Sequence, residues 1–534
     1  MTRQRHPLPE ANIYARTLLA PEIRPDKVAL WHWPLGAPAM VATRFGDLIE
    51  QTNRVAALLI SEQIGPGDRV LILVPMSPEL YATILAVAQV GAISVFLDPW
   101  VGRAQHDAAC AAAAPKAFFG IPKAHVLRLL SPAFRRIPFN VIVAEGFLGN
   151  HFRRRLAQQT PDATVVPVDP GDPAVIAFTT GSTGRPKPVR RSHGYIMSML
   201  DALNQHESKA FDEVDMPVWP IMLFDGLCHG RTSVIPRMKP GKIAEADPAV
   251  LLAQMATAGV TLLTGPPALY ERLLAHLTRI DQPLPVKYAF LGGAVVSADL
   301  LQRVQDRMPH GQAIAVYGST EVEPVASLSA AEMATLPDGM GVCVGTLHPA
   351  LDVKIVRLSP DPIRLDERGW EPWELPVDAP GELAVTGAHV SIDYDEDPDA
   401  WAANKILAPD GRVWHRMGDS GYQDAAGRLW LLGRASHVIH TPHGPLFPVV
   451  LERVAGSVPG VARAVLVAVD GAPWIAVVPT TEAGPGVCSD VGKALAGWPI
   501  ARVVAQPSVP VDPRHNTKVD LDALRRQLAK GGLS

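Results

Sequence analysis

Between residues 45 and 98 the chain alternates amphipathic helix with near-continuous apolar run, and this alternation constrains the fold more than any other feature. "FGDLIEQTNRVAALLISEQ" places Leu48, Val55, Leu58 and Leu59 on one helical face, and Gly65-Pro66-Gly67-Asp68 stops it. "RVLILV" (69–74) follows, apolar after its arginine, as expected of a strand covered on both faces. "ELYATILAVAQVGA" and "ISVFLD" (93–98) repeat the pattern, as do a helix near 299–308 and "AIAVYG" (313–318). The class implied is α/β: a large N-terminal domain with largely parallel sheets and ligands at the carboxyl ends of strands. From about 380 the texture changes. "GELAVTG", "GRVWHRMGDSGYQD" and "GRLWLLGR" read as an antiparallel piece. After Gly433-Arg434, "LERVAGSVPG" reads as a helix, "VARAVLVAV" and "PWIAVVP" as strands, and "LDALRRQLAK" as a last helix. The expected division is 1–433 and a small α+β domain over 434–534.

At 534 residues the chain exceeds what one core serves, so more than one domain is expected. With 49 basic and 53 acidic residues and a net charge of −4, no broad positive field is available for nucleic acid. Arg153-Arg154-Arg155 and Arg190-Arg191 read as solvated turns or local phosphate contacts. Cys110, Cys228, Cys343 and Cys488 are too scattered for a zinc site or a disulfide framework. The N-terminus lacks the apolar core of a signal peptide, and no apolar run is long enough to span a membrane. A cytoplasmic enzyme is the expectation.

"FTTGSTGRPKPVRRSHG" (178–194) follows the apolar run "AVIAFT" (174–179). Thr179, Thr180, Gly181, Ser182, Thr183 and Gly184 offer hydroxyls and bare N–H groups to phosphate oxygens, and Lys187 adds a point charge. A Walker loop requires Gly-Lys-Ser/Thr, whereas Lys187 follows Pro186, so this is a phosphate loop of another kind.

Together with four later stretches, the loop resembles that of the AMP-forming adenylating superfamily: acyl-CoA synthetases, adenylation domains and luciferases. "YGSTE" (317–321) is similar to the motif whose aromatic, here Tyr317, stacks on adenine beside Gly318 and Thr320, and whose acid, Glu321, holds magnesium. "HRMGDSGY" (415–422) carries Asp419, which by resemblance binds the ribose hydroxyls. "GR" matches the hinge arginine, Arg434, and "RHNTKVD" (514–520) the lysine motif, with Lys518 bridging carboxylate and α-phosphate. ATP and Mg²⁺ are the implied cofactors, and a mobile C-terminal lid the implied architecture. The chemistry suits these residue types, because negative charge grows on phosphate as a carboxylate attacks and pyrophosphate leaves. The catalytic set expected is Lys518, Thr183, Glu321 and His437. His415 is read as structural.

Two departures narrow the reading. Pro188 replaces the usual glycine after the loop lysine, and "GRASHVIHTPHGPLFP" replaces a pattern with two acids and a later lysine. That region normally serves thioester formation. "FDGLCHGRTSVIPRM" (224–238), "GVCVGTLHPALDVKIV" (341–356), "GRASH" and "VDPRHNTKVD" resemble the β-lactone synthetases of bacterial olefin biosynthesis. The resemblance implies a 3-hydroxy acid whose own hydroxyl attacks the acyl-adenylate, with His437 or His193 as base. An acyl-CoA or acyl-carrier ligase stays open, with coenzyme A or other pathway enzymes as partners. A non-catalytic nucleotide-binding regulator would be expected to lack Lys518 or Glu321, and both are present. For the acid, the resemblance places Phe224, His229, Gly292, Ala294, Val344 and Gly345 beside the acyl group, with Gly293 on the nucleotide side. Their small and apolar character suits a hydrophobic substrate.

Overall fold

The computed structural model describes residues 9–18, 23–34, 36–97, 102–144, 146–180, 186–206, 212–239, 241–337, 339–510 and 519–531. Two large sheets carry most of the chain. A seven-stranded sheet runs Asp393–Tyr394, Pro186–Ser192, Pro173–Thr180, Ile93–Phe96, Arg69–Leu73, Ala117–Gly120, Phe139–Ile142. The last five are parallel, as their apolar sequences require. The crossover helix Pro78–Gln89 begins where Ser77 accepts the Leu80 N–H, with proline in its first turn.

Pro186–Ser192 was not legible as a strand, because prolines at 186 and 188 argue against ladder pairing. It pairs antiparallel with Pro173–Thr180, and the Pro188 carbonyl accepts the Asp395 N–H at 2.8 Å. A missing donor at Pro188 therefore coexists with a used acceptor.

The second sheet has fourteen strands. One half is parallel, from Val28–His32 through Thr232–Val234, Val214–Pro217, Leu262–Gly265 and Tyr288–Leu291 to Gln312–Ser319. The other half is antiparallel and begins at Val322–Ser329, well before residue 380, where the change of texture places it. Val322–Ser329 holds Glu323 and Pro324, which hide its strand character from a pattern of alternating apolar residues. Gln312–Ser319 is where parallel gives way to antiparallel, and its carboxyl end carries the 317–321 motif.

Beyond Arg434 the chain builds a three-stranded sheet from Val461–Val469, Ala472–Pro479 and Arg502–Ala505. One face packs Leu451, Leu466, Ile475 and Val491, and the other packs Val465, Val467, Leu524 and Leu528. Arg453, on the helix Pro448–Gly456, donates to the Gly341 carbonyl at 2.6 Å and so ties this unit to the large sheet's loop. Among the described residues no helix is long and apolar enough to cross a membrane.

Candidate active site

A cleft of about 4170 Å³ opens between the two sheets and the C-terminal unit. That exceeds the roughly 300–1,000 Å³ of a small-molecule pocket, so one cleft has room for two substrates and solvent. Three chain segments converge on it.

The first is the hairpin of Pro173–Thr180 and Pro186–Ser192, in which Thr179 faces Lys187 across the ladder and Thr180 faces Pro186. Gly181, Ser182, Thr183 and Gly184 lie outside the described residues, as does Lys518. Thr179 and Lys187 line the cleft. Lys187 Nζ donates to Asn404 Oδ1 at 3.0 Å, and burial pushes its pKa down against the pull of Glu321 and Asp397.

The second segment is 317–321. The Tyr317 hydroxyl donates to Asp419 Oδ2 at 2.7 Å, while Arg434 Nη1 approaches Asp419 Oδ1 at 3.2 Å. Strand register explains the meeting, since Asp419 and Arg434 are direct partners across Val413–Gln423 and Arg428–Arg434. Burial and the Asp419 carboxylate hold the Tyr317 phenol well above its ordinary pKa, so it remains a donor. Gly318 and Thr320 also face the cleft. A side chain at Gly318 would meet the Val322 carbonyl at 3.1 Å, and one at Gly293 (φ +70°) would meet the Trp219 ring at 2.9 Å. The left-handed backbone at Gly293 favours glycine there, and the approach at Gly318 is tight.

The third segment, residues 391–415, packs around Glu321. Tyr394 donates its hydroxyl to Glu321 Oε1 at 3.0 Å. Burial alone would raise the carboxyl's pKa, yet the buried Lys405 and the Tyr394 donation hold it below the usual range. His415 is buried, shares a 3.2 Å contact between Nδ1 and the Asn404 carbonyl, and is pushed by desolvation down to about 3, hence neutral. Tyr394, Asn404, Lys405 and Arg191 all serve this region, and no motif announced them. Arg190-Arg191 is also not the solvated turn expected. Arg191 is buried and donates to the Thr320 carbonyl at 3.2 and 2.5 Å, while Arg190 pairs with Asp393 at 3.0 Å.

On the apolar side Phe224, Gly292, Ala294 and Val344 line the cleft, with Gly293 beside them. His229 and Gly345 do not. His229 Nδ1 turns to the carbonyl and carboxylate of Asp225, each at 3.0 Å, and Asp225 is itself paired with buried Arg231. Gly345 (φ +95°) lies so close to the neighbouring strand that a Cβ would sit 1.6 Å from the Ser327 carbonyl; its place is in the ladder.

The two candidate bases separate cleanly. His193 is buried, accepts the Ile13 N–H at 3.3 Å, is pushed by burial down to about 4, and is not part of the cleft wall. It belongs to the packing of helix Ile13–Leu18. His437 lines the cleft, three residues beyond Arg434. Although its side chain is open to the cleft, loss of water around the ring, then Arg434 and Arg525, pull its pKa down against Asp419 and Asp522.

Among the described residues no three His, Cys, Asp or Glu side chains cluster as a metal cage. Glu321, kept ionised with one oxygen taken by Tyr394, still suits a hard cation that draws its remaining ligands from phosphate and water.

A cleft at the carboxyl ends of parallel strands, with an aromatic–carboxylate–arginine cluster facing an apolar wall, marks this α/β protein as one that binds a small molecule there. Comparison with known proteins agrees. A model of the AMP-binding enzyme family matches residues 20–394. The chain is 34% identical over 513 residues to the olefin beta-lactone synthetase of Stenotrophomonas maltophilia, covering 91% of each. It is likewise 34% identical over 541 residues, covering 94% of each, to that of Xanthomonas campestris pv. campestris. Among solved structures, ATP-bound MatB from Rhodopseudomonas palustris superposes with a TM-score of 0.79 at 22% identity, covering 97% of this chain and 99% of that one. This chain belongs to the AMP-binding enzyme family and is an AMP-forming, acid-activating ligase or synthetase.

Proposed function

We propose that the enzyme uses ATP to adenylate a hydrophobic 3-hydroxy acid and then cyclises it to a β-lactone. The observation that carries the first half is one cleft in which the Tyr317–Asp419–Arg434 cluster faces an apolar wall with Phe224 and Val344. The 34% identity to two olefin beta-lactone synthetases supports the second half.

In the first step the substrate carboxylate attacks the α-phosphorus, the bond to the β-phosphate oxygen breaks, and pyrophosphate leaves. Lys187 and the 179–184 segment receive the departing phosphates, with Thr179, Thr180 and Thr183 as donors. Tyr317 stacks on adenine, Asp419 takes the ribose hydroxyls, and Arg434 orients Asp419. Glu321 would hold Mg²⁺ with the phosphates, where the cation supplies positive charge to offset what develops there. Residues 434–534 act as a lid that brings Lys518 to the carboxylate and α-phosphate.

In the second step the substrate's 3-hydroxyl attacks its own acyl carbon, the acyl–phosphate bond breaks, and AMP leaves with the bonding pair. His437 takes the hydroxyl proton. Proximity of hydroxyl and acyl carbon within one substrate supplies much of the acceleration.

Incubation of the protein with ATP, Mg²⁺ and a racemic long-chain 3-hydroxy acid, followed by mass spectrometry, tests the reading. AMP and a product one water lighter than the acid, formed without coenzyme A, is the expected result. A thioester formed only when coenzyme A is added would make the enzyme an acyl-CoA ligase and remove the role given to His437.

A further inference from the structure

Behind Glu321 lies a set of side chains that nucleotide binding alone does not call for. Lys405 is 1% exposed, its ammonium donates to the Ser391 carbonyl, and it sits 5.2 Å over the Tyr394 ring. Ser391 is tied in twice more: its N–H donates to the Glu321 carbonyl at 2.7 Å and its hydroxyl to the Arg190 carbonyl at 2.7 Å. On the other side of the motif, Arg191 and Tyr195 hold the Thr320 carbonyl. The backbone of Thr320 and Glu321 is thus pinned from both flanks, and the Tyr394 hydroxyl takes one carboxylate oxygen.

An ammonium is costly to bury, and a purely structural plug at position 405 needs no charge. Glu321 is the acid that acts on Lys405 most strongly. The placement makes sense if the carboxylate must be presented in one orientation. Magnesium demands near-octahedral geometry at short, fixed distances, and a freely rotating carboxylate offers it many arrangements. Among the described residues no three His, Cys, Asp or Glu side chains form a cage that could orient the cation by itself, so what holds Glu321 bears on its orientation.

We propose that Tyr394 and Lys405 are positioning residues for Glu321: Tyr394 occupies one carboxylate oxygen and Lys405 fixes Tyr394 and Ser391, leaving the other oxygen for the cation that accompanies ATP. The proposal rests on the reading of Glu321 as the magnesium carboxylate. Donors that orient a metal ligand typically matter by 10–100-fold in metal affinity. A structural role alone would lower stability without moving metal affinity.

The test is direct titration of Mn²⁺, followed by electron paramagnetic resonance, into the full-length protein with ATP and no acid. Tyr394→Phe keeps the ring under Lys405 and deletes only the hydroxyl. It is expected to weaken Mn²⁺ binding about tenfold, while metal-free AMP binding stays within about twofold. Lys405→Met, which retains the aliphatic stem, is expected to weaken Mn²⁺ binding comparably. Should it not fold, the Tyr394→Phe titration decides alone. Unchanged Mn²⁺ affinity in Tyr394→Phe, with a loss in Glu321→Gln, overturns the proposal and leaves Glu321 as the metal carboxylate. Unchanged affinity in both variants overturns the reading of Glu321 itself.

Discussion

Two carboxylates line the same cleft, and the protein holds them in opposite ways. Glu321 is gripped from the interior by Tyr394 and by a pinned backbone, with buried Lys405 seated over the Tyr394 ring. Asp419, with a side chain 14% exposed, is held by Tyr317 and Arg434, which themselves face the cleft, Arg434 being 47% exposed. The partners of Asp419 face the cleft, whereas Tyr394 and Lys405 lie buried behind Glu321. Arg434 also ends the strand from which the chain leaves for the C-terminal unit. If residues 434–534 act as the proposed lid, Arg434 is the residue through which their movement would reach Asp419, whereas the contacts of Glu321 lie within the large sheets.

The largest expected effect tests whether both carboxylates serve the same reaction. Lys518→Ala should abolish ATP–pyrophosphate exchange while leaving the circular dichroism spectrum and melting temperature intact. Normal exchange in that variant would falsify the assignment, and the contrast between the two carboxylates would lose its chemical meaning. Next comes His437→Ala, three residues beyond Arg434 on the cleft wall. Loss of a general base costs about 10²–10⁴-fold, so lactone formation should fall by at least the lower figure while exchange falls much less. An equal fall in both rates would reduce His437 to a structural part of the hinge.

Asp419→Ala sharpens the contrast further. Losing hydrogen bonds to a charged acceptor should weaken nucleotide binding by about 1.5–3 kcal/mol. Because the ribose is common to both ligands, calorimetry should show that loss for metal-free AMP as well as for ATP. Glu321→Gln should spare metal-free AMP. If Asp419→Ala binds AMP as tightly as the parent, its carboxylate only secures Tyr317 and Arg434.

The same contrast explains what was legible in the sequence. The parallel strands were readable because burial on both faces demands uninterrupted apolar runs such as "RVLILV". Tyr317, Glu321, Asp419 and Arg434 were readable because each stands in a short motif, and the structure brings all four to one cleft. Tyr394, Asn404, Lys405 and Arg191 were not, because they act on Glu321, Lys187 and Thr320 across dozens to hundreds of residues of intervening chain. A lone lysine in "AWAANKIL" carries no sign that its ammonium ends over the Tyr394 ring at the Ser391 carbonyl. His229 and Gly345 each sit inside a suggestive stretch, yet the structure places them off the cleft wall, in an ion-pair cluster and a strand contact. The strand at 322–329 was hidden by its glutamate and proline.

The smallest effect concerns stability rather than chemistry, and it tests whether the wall behind Glu321 is as closed as its contacts indicate. His415 is pushed from its ordinary 6.5 to about 3 by burial, with Lys405 adding to the shift. In the unfolded chain the same imidazole takes up a proton below about pH 6.5. Between those two values the unfolded state binds more protons, so stability is fully present above pH 6.5 and declines as the pH falls toward 3. One such group contributes a loss of about 2 kcal/mol between pH 7 and pH 5. Replacing it with a non-titrating ring, His415→Phe, should remove that share of the acid sensitivity. The measurement is the urea midpoint of parent and variant at pH 7 and pH 5. The buried His193, held at about 4, adds a loss of the same sign and remains in both proteins, so only the difference between them reports on His415. Equal acid losses in the two proteins would mean that His415 already takes up its proton in the folded state, and that water reaches the back of Glu321 as it reaches Asp419.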